Sequence, residues 1–105
     1  MKIQINTDKN IQGTEKLEAY ATEKINKSLT RFSDNITRIE VHLSDQNADK
    51  SGKDDIQCKL EARLKKLQPI TVIGRNSAKE KALNDAVNKM KAALDTAVGK
   101  QREKS

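Results

Sequence analysis

Apolar residues recur along this chain with two different periods, and the switches between them mark out strands and helices. Lys2 to Asn6 alternates, with Ile3 and Ile5 to one side, as a short strand with one buried face does. From about Thr14 to Phe32 the period lengthens to 3.6. Leu17, Tyr20, Ala21, Ile25, Ser28, Leu29 and Phe32 fall on one stripe, which predicts an amphipathic helix whose outer face is charged. Thr37 to Ser44 returns to period two, with Ile39, Val41 and Leu43 inward and Arg38, Glu40 and His42 outward.

The stretch Asp45 to Asp55 holds no apolar residue but Ala48 and is rich in turn formers, so it is expected to be a long loop. Beyond it Ile56, Cys58, Leu60, Ala62 and Leu64 alternate with Gln57, Lys59, Glu61, Arg63 and Lys65, the clearest strand pattern in the chain. After Pro69 a fourth short strand, Ile70 to Ile73, is expected to end at Gly74. Ser77 and Glu80 have the spacing of a capping box. Leu83, Val87, Met90, Leu94 and Ala97 then predict a helix to about Val98, with Gly99 placed to stop it.

The expected order is βαβββα: an α+β fold with a four-stranded sheet and both helices packed on one face, because every element has one apolar side to hide. Strands one and two, joined through a helix, should be parallel neighbours, and strands two to four an antiparallel meander. Residues 1–98 are expected to form a single domain and 99–105 a frayed C-terminal tail, since 105 residues leave room for one modest core.

Residues 1–50 hold eight Lys/Arg and eight Asp/Glu, whereas residues 51–105 hold thirteen against seven, which is the whole net charge of +6. A basic region on a small domain is the electrostatic footprint of a polyanion binder, because each neutralised phosphate releases counterions. Sorting charge by face sharpens this. At 100° per residue Lys16, Lys24, Lys27 and Arg31 fall within roughly 80° of one another on one flank of the first helix, with Glu15, Glu18 and Glu23 elsewhere. On the second helix Lys81, Lys89 and Lys100 share a sector of roughly 100°, which Asp85 also enters and Lys91 does not. Lys59, Arg63 and Lys65 on the outward face of the third strand form a secondary basic surface, which Glu40 and Glu61 are placed to neutralise in part.

Other chemistry finds little to stand on. His42 is the only histidine and sits among surface charges, and Cys58 alternates with the inward residues, so neither has a placed catalytic partner and no enzyme is expected. Asp45, Asn47, Asp49 and Ser51 imitate the alternating ligands of a calcium loop. The glycine such a loop needs is Lys50 and its closing glutamate is Ile56, so no metal and no cofactor are expected. No apolar run approaches the roughly 20 residues of a membrane span, and MKIQINTDKN lacks the apolar segment of a secretory signal, so a cytoplasmic protein is expected. With no Trp, and Tyr20 and Phe32 both on the buried stripe, stacking platforms for bases should be missing, and an RNA would be read by backbone and shape.

The order of elements and the segments TEKLEAYATEKINKSLTRF (Thr14 to Phe32) and NDAVNKMKAAL (Asn84 to Leu94) resemble the ribosome hibernation-promoting factor and ribosome-associated inhibitor family, also called sigma-factor modulation proteins. The resemblance implies a fold like that of double-stranded-RNA-binding domains. It also implies a partner, the ribosomal RNA of the small ribosomal subunit, and a role in inhibiting or preserving idle ribosomes. The family's pair of basic residues three apart on the first helix matches Lys24 and Lys27, and one on the second matches Lys89. The Asp and Tyr that usually open the second helix are Ala78 and Glu80, and later basic positions are Ala92 and Thr96. Long members add a C-terminal dimerisation domain, and none is expected here. The alternative is a small regulatory module acting on a protein partner, with an edge strand available for self-association.

Overall fold

The structure, a computed structural model, describes residues 1–8, 11, 13–45 and 56–103, with side chains as far as Gly99. Its elements are β1 (Lys2–Thr7), α1 (Glu15–Leu29) continued by a 3-10 turn over Thr30–Phe32, β2 (Ile36–Asp45), β3 (Ile56–Leu64), β4 (Ile70–Asn76) and α2 (Lys79–Glu103). The sheet order is β1-β2-β3-β4. β1 runs parallel to β2, with Ile3 opposite Ile39 and Ile5 opposite Val41. β2, β3 and β4 form the antiparallel meander, with Val41 opposite Leu60 and Leu60 opposite Val72. The expected loop over residues 46–55, and with it the calcium-like run after Asp45, lies outside the described residues.

Alternation sends Ile39, Val41, Leu43, Cys58, Leu60 and Ala62 to one face of the sheet, where all are buried. Both helices cover that face, α1 bringing Leu17, Ala21, Ile25 and Leu29 and α2 bringing Leu83, Val87, Met90 and Leu94. Each of these side chains larger than alanine contributes about 1.5–3 kcal/mol on leaving water, which is what holds two charged helices onto the sheet. Thr14 starts α1 as expected, its Oγ1 accepting the Leu17 N–H at 3.1 Å.

Four expectations need correction. β4 does not stop at Gly74 but runs to Asn76, because Gly74 lies beneath α2: a Cβ there would stand 2.4 Å from the Ala82 carbonyl oxygen and 2.5 Å from the Ala86 nitrogen. The glycine is a point of close approach, not a terminator. The amides before α2 are not held by a Ser77 capping box. Asn76 Oδ1 accepts from the Ser77 N–H at 2.8 Å and the Ala78 N–H at 3.5 Å, and the Ser77 hydroxyl itself donates to Asn76. Nor does Gly99 end α2, which continues to Glu103; a glycine costs a helix interior only about 1 kcal/mol, and no left-handed residue turns the chain there. Finally, Tyr20 is not buried with the stripe but is 37% exposed.

Among the described residues no helix is long and apolar enough to cross a membrane.

Candidate nucleic-acid interface

The two helices lie side by side and parallel. The Tyr20 hydroxyl donates to Asn84 Oδ1 at 3.1 Å, and the Arg31 guanidinium pairs with Asp95. Both contacts join residues 64 apart, so the helices run in step, and a groove opens between them toward solvent. Three concavities lie along it, two lined by both helices and one by α1 alone. The first, about 380 Å³, is lined by Thr14, Lys16, Leu17, Tyr20, Lys79 and Glu80. The second, about 270 Å³, is lined by Tyr20, Glu23, Lys24 and Lys27. The third, about 420 Å³, lies between Arg31, Phe32, Asp95, Val98 and Gly99.

The flank of α1 that the sequence singled out is therefore the α1 wall of this groove. Lys16, Lys27 and Arg31 are exposed and Lys24 is half-buried. Arg31 is not a bare cation: it stacks over the Phe32 ring at 4.7 Å from the centroid as well as pairing with Asp95. Its side chain is 61% exposed and that of Asp95 46%, so the ion pair contributes little to stability and can exchange for another anion.

The α2 wall differs from the expected one. Lys89 points away from α1 to the edge of the sheet, where its ammonium donates to the Ile73 carbonyl at 2.8 Å and pairs with Asp85 at 3.2 Å. Asp85 in turn accepts the Arg75 N–H at 3.3 Å. These two side chains occupy outward-facing backbone groups of β4 and so blunt an edge that could otherwise pair with another strand. Lys91, by contrast, lies seven residues after Asn84 and four before Asp95, on the α2 stripe that meets α1, and the common register puts it level with Lys27. Lys81 is exposed on the outer surface of α2, and the Lys100 side chain lies outside the described residues.

The secondary surface is built as the cross-strand spacing suggests. Arg63 lies 3.7 Å from Glu40 and 3.5 Å from Glu61, and Arg38 lies 3.1 Å from Glu40. The hydrogen bond from the Arg38 guanidinium, with the charges of Arg38 and Arg63 beside it, holds the Glu40 carboxyl below the usual carboxylate range. Lys59, opposite His42 and Ile73, and Lys65 beyond the end of β3 are exposed, but this face carries its own counter-ions.

Sequence reasoning missed Tyr20, Lys79, Asn84, Lys91 and Asp95 as groove residues. One signal was present. On the helical wheel Tyr20 falls in the middle of the sector that holds Lys16, Lys27, Arg31 and Lys24.

No curated protein matches the chain. Among solved structures it is similar to the N-terminal domain of Protein Y from Thermus thermophilus, at 21% identity and a TM-score of 0.72, covering 91% of this chain and 98% of that one. It is also similar to a ribosomal subunit interface protein from Coxiella burnetii, at 16% identity and a TM-score of 0.73, covering 94% and 99%. Both likenesses extend over the whole α+β architecture. The model of sigma 54 modulation protein / S30EA ribosomal protein matches residues 3–105, and the chain belongs to that family.

Proposed function

We propose that this protein binds ribosomal RNA of the small subunit through the groove between α1 and α2, and that by occupying the subunit it inhibits or preserves idle ribosomes. The observation that carries the reading is the placement of cations on both walls of one groove. Lys16, Lys24 and Lys27 come from α1 and Lys79 from α2, and the register marked by Tyr20–Asn84 and Arg31–Asp95 puts Lys91 of α2 level with Lys27. Family membership and the similarity to a ribosomal subunit interface protein support the choice of the ribosome over other polyanions.

Contacts of this kind read phosphate position and helix shape rather than base edges. Five such contacts give a salt slope of about −3.5 to −4.5, so affinity falls by two to three orders of magnitude between about 50 and 200 mM salt. Co-sedimentation with small subunits across that series tests the proposal. Binding at the low end and release at the high end support it; free migration at every salt level overturns it. Binding that ignores both salt and the joint replacement of Lys24, Lys27 and Lys91 by Glu would favour a protein partner instead.

A further inference from the structure

We infer that Tyr20 is a stacking site for one unpaired nucleotide of the bound RNA. The inference rests on the groove reading above and adds a base contact to it. Of the Tyr and Phe side chains Tyr20 is the one open to solvent, Phe32 being 4% exposed. It lines two adjoining concavities, one with Lys16, Lys79 and Glu80 and the other with Glu23, Lys24 and Lys27, so that cations outnumber carboxylates two to one in each. A base laid on this ring would have ammonium groups to either side for its own phosphate and the next one. That combination of aromatic face and flanking cations is how single-stranded nucleic acid is held.

Two further features fit the role. The Tyr20 hydroxyl is bonded to Asn84 on the opposite helix, so the ring is pinned across the groove before any ligand arrives and little ordering remains to be done on binding. The concavities beside it, about 380 and 270 Å³, give a planar group room to enter. A fully paired duplex cannot use the site, because its bases are stacked within the helix. The RNA must offer a bulged or looped-out nucleotide. The simpler role for Tyr20, a structural tie between the helices, needs only the hydroxyl and not the ring face.

Tyr20 is the one tyrosine of a chain without tryptophan, so intrinsic emission reports this site alone. The test uses the full chain and two RNA probes: a duplex of about 20 base pairs, and the same duplex carrying one unpaired adenosine. With the paired duplex as absorbance control, the bulged RNA is expected to quench Tyr20 emission and to bind about tenfold more tightly. Tyr20→Phe, which keeps the ring and loses the hydroxyl, should retain most of that preference; Tyr20→Ser should lose it. Equal affinity for the two RNAs with unquenched emission, while binding still falls with salt, would overturn the stacking site and leave the groove reading standing. A preference lost equally in Tyr20→Phe and Tyr20→Ser would also overturn it in favour of the tie. Failure of both RNAs to bind at about 50 mM salt would overturn both readings.

Discussion

Alanine placed at Gly74 and at Gly99 should change stability in opposite directions, and the contrast tests how α2 is seated. At Gly74 the added methyl would stand 2.4 Å from the Ala82 carbonyl oxygen, 2.5 Å from the Ala86 nitrogen and 3.1 Å from the Ala86 Cα, all backbone of α2. No side chain can swing aside, so the helix has to retreat by about 1 Å to restore contact distances. That retreat loosens Leu83, Val87 and Met90, each fully buried. Overpacking of this kind costs about 1–3 kcal/mol, and loss of the surrounding contacts adds to it. Reduced freedom of the unfolded chain returns about 0.4–1 kcal/mol. The net expectation is a loss of about 2–3 kcal/mol, or roughly 15 °C in Tm for a domain of this size. At Gly99 nothing lies within 4 Å of the added Cβ and the residue sits inside a helix, so Gly99→Ala should stabilise by up to about 1 kcal/mol. Urea unfolding followed by circular dichroism measures both, with the slope unchanged. A Gly74→Ala protein within about 0.5 kcal/mol of the parent, or a destabilised Gly99→Ala protein, would refute the seating described here.

Cys58 is buried beneath α2, and burial, with a smaller push from Asp85, raises its thiol to about 12. It should therefore resist thiol reagents at pH 8 and react once urea unfolds the chain; rapid labelling of the native protein would contradict its place in the core. The sign of the linkage follows from the same shift. The unfolded thiol ionises near 8.5, so this stabilisation is complete below that pH and is lost as pH rises toward 12, at up to about 1.4 kcal/mol per unit. Cys58→Ala should flatten that part of the stability profile. Lys91→Ala should reduce the salt slope of RNA binding by about 0.7–0.9, while Lys89→Ala leaves the slope nearly unchanged, and equal effects in a salt titration would contradict their assignment to opposite sides of α2. Asp95→Asn should free Arg31 for phosphate and tighten RNA binding severalfold at low salt, with little change in stability; weaker binding would show that the ion pair holds the groove open.

Much of the fold was legible because the signals that specify it are local. Strict alternation at Ile39, Val41 and Leu43 and at Cys58, Leu60 and Ala62 reports a sheet with one covered face wherever it occurs. The helix between β1 and β2 then makes those two strands parallel, since a chain that crosses over the sheet returns in the same direction. Glycine was where local reading failed. Gly74 and Gly99 both look like stops in sequence, yet one lies under a crossing helix and the other inside a continuing one. The backbone conformation of a glycine depends on what surrounds it, and the surroundings come from elsewhere in the chain.

The candidate site divides along the same line. By itself the sequence determined the order of elements, the buried face of each and the cationic flank of α1, because all three follow from residue spacing within a single element. Only the tertiary structure decided what that flank faces. Two contacts, Tyr20 to Asn84 and Arg31 to Asp95, mark the common register of the helices, which puts Lys91 level with Lys27, while Lys89 meets the sheet edge and Tyr20 stays in the open. Its apolar ring assigned that tyrosine to the core, although its place on the helical wheel is among the cations. The packing of a second helix, which no spacing within α1 reports, supplied the partner of its hydroxyl.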